Sequence, residues 1–152
     1  MSINQLFFIV FINSCIISKD KSPIINASEV TQIELISQPC DIDILVTIDK
    51  AGTFKKDEIE LLISVIDTQC IENVEFMQFA NELVFRALSI NHIDFAEILQ
   101  NYNQSDFIYQ IIESPISDEI NLDQIITKIE NEDLIKYEKI LKSLKKAKMK
   151  LE

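Results

Sequence analysis

The stretch Asn73–Ile90, NVEFMQFANELVFRALSI, repeats apolar side chains at intervals of three and four residues. Phe76, Ala80, Leu83, Ala87 and Ile90 form one stripe, which Met77, Val84 and Leu88 widen. Glu75, Gln78, Glu82, Arg86 and Ser89 fall on the opposite side. A 3.6-residue period of this kind marks an amphipathic helix with one face in a core. Glu82 and Arg86 stand one turn apart and can pair across the outer face, worth a few tenths of a kcal/mol.

The same period continues on both sides. Ile59, Leu62, Ile63 and Ile66 follow helical spacing, with Thr53 as an N-cap candidate. Asp57 and Glu58 stand near that helix start, where the dipole favours acids. Ala96, Ile98, Leu99 and Tyr102 line a shorter helix over 93–102. Ser105 can cap a helix carrying Ile108, Ile111 and Ile112, which Pro115 stops. Asn121 and Gln124 resemble a capping box ahead of Leu122, Ile125, Ile126 and Ile129. From about residue 132, Leu134, Tyr137, Leu141, Leu144 and Leu151 share a side. The expected fold is all-α: a single compact domain over 31–152 of about five to seven short amphipathic helices, as a bundle or a solenoid-like stack.

One stretch resists that reading. In Asp41–Asp49, DIDILVTID, the residues Ile42, Ile44, Val46 and Ile48 alternate with their neighbours, which is a strand pattern. Ile33, Leu35 and Ile36 are candidate partners, giving a small β-hairpin near 31–49. A lone hairpin is marginal unless it packs on helices. Helix is therefore preferred here, with the hairpin as the alternative.

Composition bounds the chemistry. The chain has 152 residues, 47% of them hydrophobic, with 1 Gly and 3 Pro. Such content supports one cored domain. Loops that cradle phosphates need glycine for close backbone approach, so Gly52 alone excludes a nucleotide-binding loop. The net charge of −11 is unevenly spread. Residues 136–152 carry seven Lys against Glu138 and Glu152, and the rest is strongly acidic. An acidic body repels nucleic acid and anionic lipid, so no nucleic-acid partner is expected. The lysines read as the solvated end of a C-terminal helix, where they complement its dipole.

The first eighteen residues, MSINQLFFIVFINSCIIS, contain no charged side chain, and Leu6–Ile12 are continuously apolar. A secretory signal has such a core, although its basic start is missing here. The run is shorter than the roughly 20 residues of a comfortable membrane span. Phe11-Ile12-Asn13-Ser14-Cys15 resembles the lipobox of bacterial lipoproteins, with Ile12 three residues before the cysteine and Ser14 just before it. The resemblance covers about residues 1–22 and implies cleavage before Cys15, a diacylglycerol on its sulfur, and a cell-envelope location. The implied organisation is a signal peptide over 1–14, then lipidated Cys15 and a flexible tether to residue 30, then the helical domain. Two other readings stay open. One is an ordinary cleaved signal or uncleaved anchor. The other is an apolar N-terminal element within the core of a cytoplasmic domain.

With Cys15 lipidated, Cys40 and Cys70 remain as an even pair. They could form a disulfide in an oxidising compartment or stay reduced and buried. No zinc pattern fits them, because His92 is the only histidine and a tetrahedral site needs more ligands. Thr47–Glu58 resembles a degenerate EF-hand loop, with Gly52 at the sixth position, Phe54 at the eighth and Glu58 at the twelfth. Thr47 at the first position and Ala51 at the fifth remove two oxygen ligands. The loop is therefore expected to lead into a helix. Asp49 and Glu58 would be the ligands otherwise, and no metal or cofactor is expected. His92, between two helices, reads as structural. No catalytic arrangement is legible, and no enzymatic activity is expected. The expected role is binding of another protein, with the membrane reached through Cys15. An acidic domain could inhibit a basic toxin or nuclease, in the manner of an immunity protein. A cytosolic interaction domain and a structural subunit of an envelope complex are the alternatives.

Overall fold

The computed structural model describes residues 38–152, except 118 and 133 and the side chains of Leu134 and Ile135. The leader over 1–14, Cys15, the tether to residue 30, and Ile33, Leu35 and Ile36 lie outside the described residues.

The alternating stretch is helical. Helix α1 (Ile42–Ala51) begins at Asp41, whose carboxylate accepts a hydrogen bond from the Asp43 N–H at 3.0 Å. It ends at Gly52, in the left-handed region at φ 64°, whose N–H reaches the Ile48 carbonyl at 3.0 Å. Glycine suits this ending because a side chain there would be strained. Leu45 breaks the alternation, and it is Leu45 and Ile48, three residues apart, that are buried. A flat strand would place those two on opposite faces, whereas a helix puts both in the core. No strand occurs among the described residues, so the hairpin near 31–49 is corrected to helix over its described part.

Helix α2 (Lys56–Val65) starts at Lys55, two residues beyond Thr53. The Thr53 hydroxyl donates to the Glu58 carboxylate at 2.9 and 3.0 Å, so it braces a side chain and caps no backbone group. Glu58 also accepts from the Lys55 N–H at 3.0 Å, satisfying one of the first-turn donors. A 3-10 turn (Thr68–Glu72) follows, opened by Asp67, which accepts from the Gln69 N–H at 2.9 Å.

Helix α3 (Val74–Asn101) is 28 residues long and broken at Asn91, at φ −140° and ψ 65°. Asn73 caps its start, accepting from the Phe76 N–H at 3.1 Å. At the break, Asn91 caps the second half: its Oδ1 accepts from the Asp94 N–H at 3.2 Å. Its Nδ2 donates to the Phe54 carbonyl at 3.1 Å and to Asp94 Oδ2 at 2.7 Å. The two sequence segments, 73–90 and 93–102, are thus the two limbs of one bent helix. Ile90 does not join the buried stripe; it is 53% exposed, because the bend follows it at once.

Three helices complete the body: α4 (Ser105–Ile112), α5 (Leu122–Glu130) and α6 (Leu134–Leu151). Gln104, rather than Ser105, stands at the α4 N-cap. Asn121 caps α5 as its spacing suggests, accepting from the Gln124 N–H at 3.0 Å. Lys128 on α5 donates to the Ser89 carbonyl at 2.8 Å, beside the α3 bend. Tyr137, Ile140, Leu141, Leu144 and Ala147 form the buried face of α6, whereas Leu151 is exposed at the helix end. α3 packs against every other element; α1 and α2 pair with each other, and α4 and α5 both pack on α6.

Asn81 lies on the buried side of α3 at 2% exposure. Its Nδ2 donates to the Ile111 carbonyl at 3.3 Å and the Ser114 carbonyl at 3.0 Å, and its Oδ1 accepts from the Ile116 N–H at 3.1 Å. One side chain thereby satisfies three backbone groups around Pro115, where helix α4 has already stopped. Orphaning such groups is costly. Asn81→Ala is expected to lower the unfolding free energy by about 2–4 kcal/mol in urea titrations. A loss under about 0.5 kcal/mol, the range of neutral surface changes, would mean that these bonds do not hold the turn.

Candidate functional site

Cys40 and Cys70, 30 positions apart in sequence, are joined in a disulfide with Cα atoms 5.4 Å apart. The bond links the chain just before α1 to the 3-10 turn just before α3. Cys70 is fully buried. The Cys40 N–H donates to the Val65 carbonyl at 2.9 Å, while its backbone sits at φ 65°, an unfavourable region for a residue with a side chain. The bridge therefore closes a loop containing α1 and α2, and it pins the turn that carries Ile71 and Glu72. Cys15 lies outside the described residues.

The EF-hand-like residues do not assemble a cation site. Gly52 ends α1, and Phe54 points its ring into the core, fully buried at φ 47°. Glu58 is committed to Thr53 and Lys55, and Asp49 pairs with Arg86 of α3. The Arg86 guanidinium also lies over the Phe54 ring, 5.3 Å from its centroid. Among the described residues, no group of three or more His, Cys, Asp or Glu side chains is arranged to hold a metal ion.

His92 follows the α3 bend, its side chain 14% exposed. Its Nε2 lies 3.7 Å from Glu132 Oε1, too far for a hydrogen bond, and both ring nitrogens are buried without a hydrogen-bond partner. The ring sits 6.0 Å from that of Tyr137 in a tilted arrangement. Its neighbours are a surface carboxylate and a packed aromatic; no hydroxyl or thiol nucleophile is hydrogen-bonded to it.

The lysines of α6 are not simply solvated. Lys146 pairs with Glu113, Lys148 with Asp123 at 2.7 Å, and Lys145 with Glu130 at 2.7 Å. Lys150 donates to the Glu113 carbonyl at 2.9 Å, and the Lys139 ammonium lies 5.5 Å from the Tyr109 ring centroid. Near the other end, Lys136 stands 3.9 Å from Glu97, which also binds Lys56 at 2.6 Å. The Lys146 ammonium holds the Glu113 carboxyl below the usual carboxylate range, and Lys56 does the same for Glu97. In return Glu97 raises Lys56, and Asp123 raises Lys148.

A surface cleft of about 370 Å³ opens between α3 and α5, lined by Glu82, Phe85, Arg86, Ser89, Gln124 and Ile125 among others. Its cation, Arg86, is already held by Asp49 and Phe54. Asn81 carries no sequence mark, because a polar residue inside a helical run resembles the edge of its polar face, whereas Asn91 falls in the gap between the expected segments 73–90 and 93–102. Ile71 and Val74, exposed at 59% and 64%, were equally unmarked; their emergence depends on where the 3-10 turn ends. No helix among the described residues is long and apolar enough to cross a membrane. The chain matches no protein-family model, no curated protein and no solved structure.

Two outcomes follow from this geometry. In non-reducing denaturant, Cys40 and Cys70 should take up no iodoacetamide, as read by mass spectrometry. Cys40→Ser should lower stability by about 3–4 kcal/mol, the closure entropy of a loop of this length; full alkylation of the wild type would sink both. The second concerns pH. Glu97 and Glu113 have folded values below their ordinary 4.5, so their contribution is complete above that value and is lost as pH falls through the lower folded ones. Lys56 and Lys148 are raised above 10.5, so their contribution is complete below that value and is lost at higher pH. The urea midpoint should fall between about pH 5 and pH 3, and fall less in the Glu97→Gln/Glu113→Gln variant. Identical pH profiles for the two proteins would refute the assignment.

Proposed function

We propose that this chain is an exported helical protein, anchored through a lipid on Cys15, that acts by binding another protein and performs no catalysis. The observation that carries the reading is the Cys40–Cys70 bond. Structural disulfides persist outside the reducing cytoplasm, and are rare within it. The bridge in the body supports an oxidising compartment, and the lipobox-like Ile12–Cys15 segment, an independent feature, supports the envelope as that compartment.

Binding is the simplest use of such a domain. Several cations of the body are spent on its own acids: α6 lysines on Glu113, Asp123 and Glu130, Arg86 on Asp49, Lys56 on Glu97. His92 has a packing environment and no nucleophile beside it. The surplus acidity that remains favours a basic partner, since complementary charge speeds association and rejects like-charged competitors. Inhibition of a basic toxin or nuclease is the specific form of this reading.

Metabolic labelling with radioactive palmitate tests the anchor. Wild-type protein should carry label, Cys15→Ala should not, and the mature protein should lack residues 1–14 by mass spectrometry. An unlabelled wild type with residues 1–14 intact would return the chain to the cytoplasmic alternative.

A further inference from the structure

Ile71 and Val74 belong to a small set of exposed large apolar side chains, and these two lie three residues apart on one corner of the fold. The 3-10 turn and the first turn of α3 form a corner held from three sides. Asp67 and Asn73 cap the two elements, accepting from Gln69 and Phe76. The Asn73 N–H closes on the Cys70 carbonyl at 2.9 Å. Cys70 itself is buried and bonded to Cys40. On this pinned corner two large apolar side chains face solvent, Ile71 at 59% and Val74 at 64% exposure. Glu72 and Glu75 flank them, and Gln78 and Glu82 continue the exposed outer stripe of α3.

The charge around the corner has one sign. From Asp57 to Phe85 the sequence has seven carboxylates and no Lys, Arg or His. The α6 lysines pair with Glu97, Glu113, Asp123 and Glu130, all outside that stretch, so none neutralises it.

We infer that the Ile71–Val74 corner is a docking surface for a cationic protein segment, one that presents an apolar side chain flanked by lysine or arginine. This rests on the reading of the chain as a protein-binding module and says where the partner sits. Charge complementarity selects that occupant. A second copy of this chain would bring like charges together across the same corner. An anionic membrane would be repelled. An uncharged apolar segment would cover Ile71 and Val74 but leave Glu72 and Glu75 without a counter-charge. The pinned backbone matters because a preorganised surface loses little conformational entropy when a partner lands.

The test is a titration of the full-length, oxidised, 15N-labelled protein with a synthetic helical peptide of leucine and lysine, followed by amide chemical shifts. Shift changes should centre on residues 68–79. Ile71→Ser/Val74→Ser should weaken binding by about tenfold or more. A control that removes two exposed carboxylates elsewhere, Asp106→Asn/Glu119→Gln, should change affinity by less than about twofold. Circular dichroism of both variants should match the wild type, because all four residues are exposed. Shifts centred on another face, equal weakening in both variants, or no shifts at about millimolar peptide would overturn the assignment. Shifts centred on another face would sink the corner while leaving the protein-binding reading standing, whereas no shifts at all would count against both.

Discussion

Phe76, Ala80, Leu83, Val84, Ala87 and Leu88 leave solvent completely along α3, and no single neighbour is wide enough to cover them. Each large side chain among them contributes roughly 1.5–3 kcal/mol when buried. The remaining elements are arranged by the need to cover that surface: α1, α2 and the 3-10 turn, then α4, α5 and α6. A straight helix of 28 residues would outrun a body this small. The bend at Asn91 solves this by ending one helix and starting another within a few residues. Asn91 supplies the new N-cap, and Lys128 places a cation on the Ser89 carbonyl, where the dipole of the first limb is negative.

Electrostatics then divides the surface into two unequal parts. Along α6, lysines meet carboxylates contributed by α3, α4 and α5. Exposed pairs of this kind are worth little individually. Their effect is on orientation: an α6 rotated by half a turn would bury lysines and point Leu144 and Ala147 at water. Around the 3-10 turn and the start of α3, Asp67, Glu72, Glu75 and Glu82 form no ion pair among the described residues. The overall −11 is therefore a poor description of the molecule. Among the described residues, the face along α6 carries paired charges and the 3-10 turn carries unpaired acids.

Much of this was legible in the sequence, and the exceptions have physical causes. The 3.6-residue period over 73–90 is real, and so are the α5 cap at Asn121 and the stop near Pro115. The all-α class follows from them. The 41–49 alternation kept a hairpin open beside the preferred helix because β-branched residues fill it; Leu45, out of step with that alternation, belongs to the helical core face. The EF-hand-like spacing over 47–58 arose from a different need for the same residues. Gly52 ends a helix and Glu58 starts one, and both tasks put these residue types where a calcium loop would. The α6 lysines looked solvated because their partners lie 15 to 39 residues away, beyond any local pattern. Asn81 was invisible for the same reason: its value lies in carbonyls and an amide that reach it only after α4 has packed.

Cys40 at φ 65° and Phe54 at φ 47° are the two described residues other than glycine with positive φ, and they have a common explanation. Left-handed backbone costs such residues roughly 1–2 kcal/mol, and it persists only where other contacts over-determine it. Cys40 is held by its disulfide and by the Val65 carbonyl. Phe54 is held by complete burial, by Asn91 on its carbonyl and by Arg86 over its ring. Both sets of contacts end on α2, α3 or the turn between them. The helices α1 and α2 are thus fastened to the centre at two strained points, one before α1 and one between the helices. The turn carrying Ile71 and Glu72 is fastened with them through Cys70. Ile71 and Val74 project from this tied-down corner into solvent.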